Sequence, residues 1–206
     1  MPVSQKFFPR EFFPENFSQR IRGTYFFMDP GKQKAEWLYF AYGSNMCLQR
    51  LRARTPSAKP VGPGCLHQHD LRFHKESVDG SAKCDAYYTG SEKHSVHGAL
   101  FVLSDEDKLL LDDYEGLGKG YERKEVLVEC GQDQVQAYIY SATRINAGLK
   151  PYDWYKRLVL RGALQHELPK FYIDRIQRIE SIPDPDPARH ALNMALLSSV
   201  REFPDD

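Results

Sequence analysis

Apolar residues alternate with polar ones over parts of residues 65–74 and 123–141, and recur at every third or fourth position over residues 151–179. The first period belongs to half-buried strands and the second to amphipathic helices. Trp37-Leu38-Tyr39-Phe40-Ala41 is apolar throughout and predicts a strand covered on both faces. Val96 to Leu103 predicts a long central strand, in which Gly98 implies a bulge or a ligand lying against the backbone. Cys65 to His74 alternates in part, with Leu66, Leu71 and Phe73 as strand material, and Asp85 to Thr89 predicts another strand. Arg123 to Cys130 and Val135 to Ser141 form a hairpin around Gly131-Gln132-Asp133. On its return strand Gln136, Tyr138 and Tyr140 share one face, opposite Ala137, Ile139 and Ser141. Thr55-Pro56 and Pro60-Val61-Gly62-Pro63-Gly64 read as loop.

The helical stretches fall between and after these strands. Met46 to Arg54 has helical composition. Ser104, with Asp107 three residues on, predicts a capped start for a helix over Asp105 to Tyr114, with Leu109, Leu110 and Leu111 turned inward. Pro151 opens a helix whose apolar face is Tyr155, Leu158, Val159 and Leu164, weakened at Gly162. Phe171 to Ile179 is a second amphipathic helix, and Ala188 to Val200 a third behind the stiff Pro183-Asp184-Pro185-Asp186-Pro187. Strands first, with one inserted helix and then a helical tail, predict an α+β fold with a mixed or mainly antiparallel, curled sheet; about six strands permit a small barrel flanked by helices. A doubly wound parallel sheet is not expected, because strands and helices do not alternate. Three regions follow: an N-terminal arm over 1–36, a domain over 37–182 and a tail over 183–206.

Composition narrows the function. The chain has 206 residues, and its 28 Lys and Arg balance 28 Asp and Glu. Without a global field, neither nucleic acid nor an acidic membrane is an expected partner. The four cysteines, Cys47, Cys65, Cys84 and Cys130, make no C-x-x-C pair and read as reduced thiols of a cytoplasmic protein. No apolar run reaches the ~18 residues of a membrane span, and the first residues lack the apolar stretch of a secretory signal. The arm holds Phe7, Phe8, Phe12, Phe13, Phe17, Phe26 and Phe27 among Pro2, Pro9 and Pro14. It either covers the domain's own surface or makes a subunit contact, in which case a homodimer is the expected assembly.

The candidate chemistry centres on residues 39–46. Gly43 breaks the first strand, and a positive φ there would let a ligand approach the backbone. Ser44 and Asn45 are good N-cap types, so free N–H groups and the helix dipole would form a small anion cradle. Glu115 ends the helix that starts at Asp105. A carboxylate there opposes the dipole, which marks it as placed for use. The Gly116-Leu117-Gly118-Lys119-Gly120-Tyr121 stretch that follows reads as a flap, since it lacks the spacing of a phosphate-binding loop. Tyr138 is either a site residue or an ordinary sheet tyrosine. Cys65, His67 and His69 fall on one face of an extended strand and, with His74 and Cys84, could bind zinc, although the spacing is not that of a structural site. The alternative is solvated or packed histidines.

Tyr39-Phe40-Ala41-Tyr42-Gly43-Ser44-Asn45-Met46, between an apolar strand and a helix, resembles the YGSN loop of the γ-glutamylcyclotransferase family, which includes γ-glutamylamine cyclotransferase-like and AIG2-like relatives. Asp112-Asp113-Tyr114-Glu115-Gly116 fits the second half of that signature. The resemblance covers roughly residues 38–182, with Met46 where many members have Leu, and it does not reach the arm. It implies a barrel with a site at one mouth, Glu115 as general acid/base, and the Tyr39 to Asn45 loop as holder of a glutamyl group, with Tyr39, Tyr42, Gly43, Ser44 and Asn45 against the substrate. Tyr138 and Tyr121 resemble later family tyrosines. It implies no cofactor and no metal, and a small γ-glutamyl substrate: an amino acid or amine derivative, glutathione, or a carrier-bound group.

The residues point the same way. With no G-x-S-x-G motif, one carboxylate, a loop of amides and tyrosines suffice only if the substrate brings its own nucleophile. A γ-glutamyl compound does, because its α-amine can close onto its γ-carbonyl to give 5-oxoproline. The enzyme must then fold the chain and move a proton. A dry site raising the Glu115 pKa is the expected means of making that carboxylate a useful base. Two other classes stay open: a non-catalytic module binding a small ligand, and a metal-dependent hydrolase using Cys65, His67 and His69.

Overall fold

A computed structural model describes residues 36–198 of the chain. The Phe-rich arm and the end of the tail lie outside the described residues. The elements in order are β1 (Glu36–Ala41), a 3-10 turn (Ser44–Met46), α1 (Leu48–Arg54), β2 (Lys59–His67), β3 (His69–Glu76), β4 (Ala82–Tyr88), β5 (Ser95–Ser104), α2 (Asp105–Glu115), β6 (Tyr121–Cys130), β7 (Asp133–Ala142), α3 (Asp153–Gln165), α4 (Lys170–Gln177) and α5 (Pro187–Ser198). Five strands close a barrel in the order β1-β5-β2-β6-β7, and β3 and β4 form a separate two-stranded sheet. Neighbours are antiparallel except β1 and β7, whose parallel contact at Tyr39 and Tyr138 shuts the ring. The fold is therefore α+β with a mixed barrel.

β1 is covered on both faces. Phe40 is fully buried, and its ring packs over Gly98 of β5 and Gly64 of β2. The alternation of the strand turns Tyr39 the other way, onto Tyr138 and Tyr140 of β7, with ring centroids at 5.2 and 5.7 Å. The inner face thus builds the barrel core and the opposite face builds the site. Phe40, Met46, Leu51, Leu100, Leu111, Leu158 and Ile176 are each fully buried, and burying such a side chain contributes about 1.5–3 kcal/mol.

The structure corrects several expectations. Residues 60–64 are strand rather than loop. Pro60 and Pro63 have no N–H to give the ladder, and a register break between Pro60 and Gly62 absorbs the misfit. The 65–74 stretch is two strands, not one, because Gln68 takes a positive φ of 61° and turns the chain. Gly98 marks neither a bulge nor a ligand, since a Cβ there would lie 2.3 Å from the Ala41 carbonyl oxygen. On α2 only Leu111 of the three leucines is buried; Leu109 and Leu110 are exposed, and Asp107 and Lys108 take the inward positions. They are accommodated by polar partners: Asp107 Oδ2 accepts from Ser57 N–H, and Lys108 donates to Asp112 at 2.9 Å. No described helix is long and apolar enough to cross a membrane.

Candidate active site

One small pocket is lined by Tyr39, Tyr42, Gly43, Ser44, Asn45, Cys84, Glu115, Tyr121, Tyr140 and Tyr155. Residues 39–45 reach it from β1 and the turn after it, Glu115 from the end of α2, and the remaining tyrosines from β6, β7 and α3. The structure thus brings together the loop and the carboxylate that lie 70 residues apart in sequence.

The loop is built differently from its sequence-based expectation. Gly43 has φ of −112°, not a positive value, and Ser44 and Asn45 form a 3-10 turn rather than capping a helix. α1 starts later, at Leu48, with Cys47 in the N-cap position. The Leu48 N–H is satisfied from another helix, by Gln165 Oε1 of α3 at 3.1 Å. His166, just past α3, holds the Met46 carbonyl at 3.0 Å. Met46 and Cys47 close the turn onto the Gly43 and Ser44 carbonyls, while the N–H groups of Gly43, Ser44 and Asn45 donate to nothing among the described residues. They are free for an anionic or carbonyl oxygen.

Gly43 is required for space. An added Cβ would sit 3.1 Å from Tyr155 Oη and 3.2 Å from Cys84 Cβ. Both neighbours must yield by a few tenths of an ångström, so Gly43→Ala is expected to cost about 1 kcal/mol of stability while shifting the pocket wall. Ligand affinity should fall more than stability. Thermal melts and substrate titrations on the same protein check this, and a variant that binds normally would take the loop out of the site.

α2 ends where Gly116 adopts the left-handed conformation (φ 67°, ψ 51°) and returns its N–H to the helix. That stop leaves Glu115 at the pocket edge. One carboxylate oxygen, Oε1, accepts from Asn45 Nδ2 and from Arg54 Nη1, each at 2.9 Å. Arg54 also donates to Asn45 Oδ1 at 3.1 Å and lies over the Tyr114 ring. Glu115, Asn45 and Arg54 therefore lock one another. The sequence leads one to expect a dry, isolated carboxylate; the structure gives it a guanidinium partner from the last turn of α1. The second oxygen, Oε2, accepts no hydrogen bond among the described residues.

Burial raises the hydroxyl pKa of Tyr39, Tyr42, Tyr121 and Tyr155 well above the usual range, and the Glu115 charge adds to the rise at Tyr39. These walls are neutral phenols. Tyr42 donates to the Tyr140 carbonyl, and Tyr121 to the Cys84 carbonyl at 2.7 Å. Tyr155 Oη accepts from Cys84 N–H at 3.0 Å. Tyr39 resembles Tyr155 rather than Tyr42 and Tyr121: its oxygen accepts, from Asn45 Nδ2 at 3.1 Å, and its hydrogen meets no acceptor among the described residues. Burial pushes the Cys84 thiol up to about 12, which leaves it protonated and a poor nucleophile.

Tyr138 lies beside the pocket rather than in its wall, packed on Trp37, Tyr39 and Tyr140. Tyr140 takes the wall position and donates to Asp112 at 2.8 Å. The alternation of β7 already put both tyrosines on one face. Arg54 and Tyr155 carry a weaker signal, since each reads as an ordinary helix residue. The zinc candidates do not converge: Gln68 turns His69 onto the next strand, His67 pairs with Glu129 at 2.8 Å, and His74 with Asp85 at 2.9 Å. No group of three His, Cys, Asp or Glu among the described residues could hold a metal.

A family model described as AIG2-like matches residues 95–176, which include Glu115, Tyr121, Tyr140 and Tyr155. Gamma-glutamylcyclotransferase of Homo sapiens is 28% identical over 155 residues, 73% of this chain and 82% of the relative. The Bos taurus protein of that name is 28% identical over 152 residues, covering 70% and 79%. Among solved structures, a gamma-glutamyl cyclotransferase superposes with a TM-score of 0.72 at 23% identity, covering 80% of this chain and 99% of its own. A Homo sapiens protein described as uncharacterized gives 0.68 at 24%, covering 77% and 98%. At these identities the superpositions speak for the fold.

Proposed function

We propose that this chain, which belongs to the γ-glutamylcyclotransferase family, releases 5-oxoproline from a γ-glutamyl compound. The observation that carries the reading is the shared pocket of Glu115 and the 42–45 loop, bridged by Asn45. In this reading the substrate's α-amine attacks its own γ-carbonyl carbon. A C–N bond forms, the original amide C–N bond breaks, and the ring leaves as the lactam. Glu115 Oε2, which has no partner among the described residues, takes a proton from the attacking nitrogen and delivers it to the leaving one.

Each neighbour has a part. Arg54 and Asn45 fix the carboxylate so that little reorganisation is needed when the substrate arrives. The free N–H groups of residues 43–45 and the Tyr39 hydroxyl are donors for the substrate carboxylate or the developing oxyanion. Tyr42 and Tyr121 already donate to carbonyls of the protein, so they act with Tyr155 as walls that exclude water. Exclusion matters, because water would turn the reaction into hydrolysis. Incubation with γ-glutamyl amino acids, amines and glutathione tests the reading by mass spectrometry: 5-oxoproline supports it and free glutamate contradicts it.

A further inference from the structure

Lys75 is a largely buried cation that makes no ion pair among the described residues; its ammonium lies over the Tyr121 ring. It lies on β3 where the register with β4 breaks, and only 9% of it is exposed. Its Nζ stands 4.6 Å from the centre of the Tyr121 ring, one wall of the pocket. The side chain passes along the backbone at Gly120, where a Cβ would come within 3.0 Å of Nζ. The ammonium therefore sits between the flap and the pocket wall. The other cations around the pocket are occupied. Arg54 holds Glu115 and Asn45, Lys83 donates to Asp79 and Ser81 at 2.7 Å each, and Arg50 donates to Asn193 at 2.8 Å. Lys75 Nζ donates to nothing among the described residues.

Removing an ammonium from water is costly unless it is paired. Burial lowers the Lys75 pKa, and Glu115, followed by Asp79 and Glu76, opposes the drop; Lys75 does not itself line the pocket but lies against Tyr121, which does. A neutral residue there would avoid that burial cost. What a lysine adds is attraction for an anion beside the carboxylate that performs the chemistry.

We infer that Lys75 is a substrate-binding residue: its ammonium receives a carboxylate of the γ-glutamyl substrate on the flap side of the pocket. The inference rests on the cyclotransferase reading. That carboxylate has two sources, the α-carboxylate of the glutamyl group or the carboxylate of an amino-acid leaving group.

The test uses the full chain and the variants Lys75→Met and Lys75→Arg, with two substrates: a γ-glutamyl α-amino acid, and the γ-glutamyl amide of a simple alkylamine. Losing a charge-assisted hydrogen bond should raise KM by about ten- to hundredfold, with kcat held within about threefold. Lys75→Arg should recover most of the affinity. A rise with both substrates places the contact on the glutamyl carboxylate, and a rise with the amino-acid substrate alone places it on the leaving group. Without substrate, Lys75→Met should melt close to the wild-type temperature, because relief of the charge's burial offsets loss of its contact with the Tyr121 ring. Unchanged KM with both substrates, or a fall in kcat at constant KM, overturns the inference. If Lys75→Met does not fold, Lys75→Gln is measured in its place. If the wild type makes no 5-oxoproline, the cyclotransferase reading has failed. Lys75 is then tested by calorimetric titration of the same two compounds, where equal affinity of wild type and variant overturns it.

Discussion

Glu115→Gln is expected to lower kcat by about 10²–10⁴-fold, the usual loss when a general acid–base group is removed. The isosteric amide keeps an oxygen that can accept from Asn45 Nδ2 and Arg54 Nη1, as Oε1 does. What disappears is the proton acceptor at the second oxygen. Arg54 loses its partner's charge but keeps an acceptor, so unfolding should stay cooperative with a loss of about 1–2 kcal/mol. Steady-state rates with a thermal melt of the same sample check both halves. A variant with more than about a tenth of wild-type kcat would remove Glu115 from the proton transfer.

Gly162→Ala should cost both stability and activity. The new Cβ would lie 2.3 Å from Met46 Cβ and 2.6 Å from Cys47 N and Met46 C. Two of those three atoms are backbone, so no side chain can rotate away. Ala gains about 0.8–1 kcal/mol over Gly in a helix, but overpacking costs about 1–3 kcal/mol, and contacts this close put the cost at its upper end. The balance is a net loss. α3 must also back away from the turn it clamps through Gln165 and His166. Misplacing a substrate-positioning group by ~1 Å can cost about 10²-fold in rate, so if the turn holds substrate, kcat/KM should fall with the melting temperature. Wild-type values for both would mean that α3 does not position the loop.

The barrel was legible where period and composition agreed. The apolar run 37–41, the 96–103 strand, the 123–141 hairpin and the Ser104 cap all stand at or near their expected places. The misses have physical causes. Prolines at 60 and 63 read as loop because a register break, which sequence does not display, lets them stay in a strand. Leu109 and Leu110 read as core because apolar residues at adjacent helix positions do not fix which one turns inward. Asp107 and Lys108 won those positions through partners on other elements and along the helix. Gly162 looked like a helix defect; its use appears only when α3 meets Met46.

The two parts that meet in the candidate pocket were legible, one as the 39–46 stretch and the other as a carboxylate ending a helix. The links between them were not. Arg54 is one of several arginines on a short helix, and nothing local marks it as the partner of a glutamate 61 residues away. Tyr140 and Tyr138 share a face, and Tyr140 lines the pocket while Tyr138 packs beside Trp37 and Tyr39, a difference that sequence does not display. Lys75 carries no sequence signal, because its place beside Tyr121 and Gly120 appears only in the fold.

The central claim is that the substrate's own α-amine, and not water, attacks the γ-carbonyl. Its most direct test compares a free γ-glutamyl compound with the same compound N-acetylated at the α-amine, with products read by mass spectrometry. 5-Oxoproline and the leaving amine are expected from the free compound, and no release from the blocked one. Free glutamate from the first, or N-acetylglutamate from the second, would contradict it.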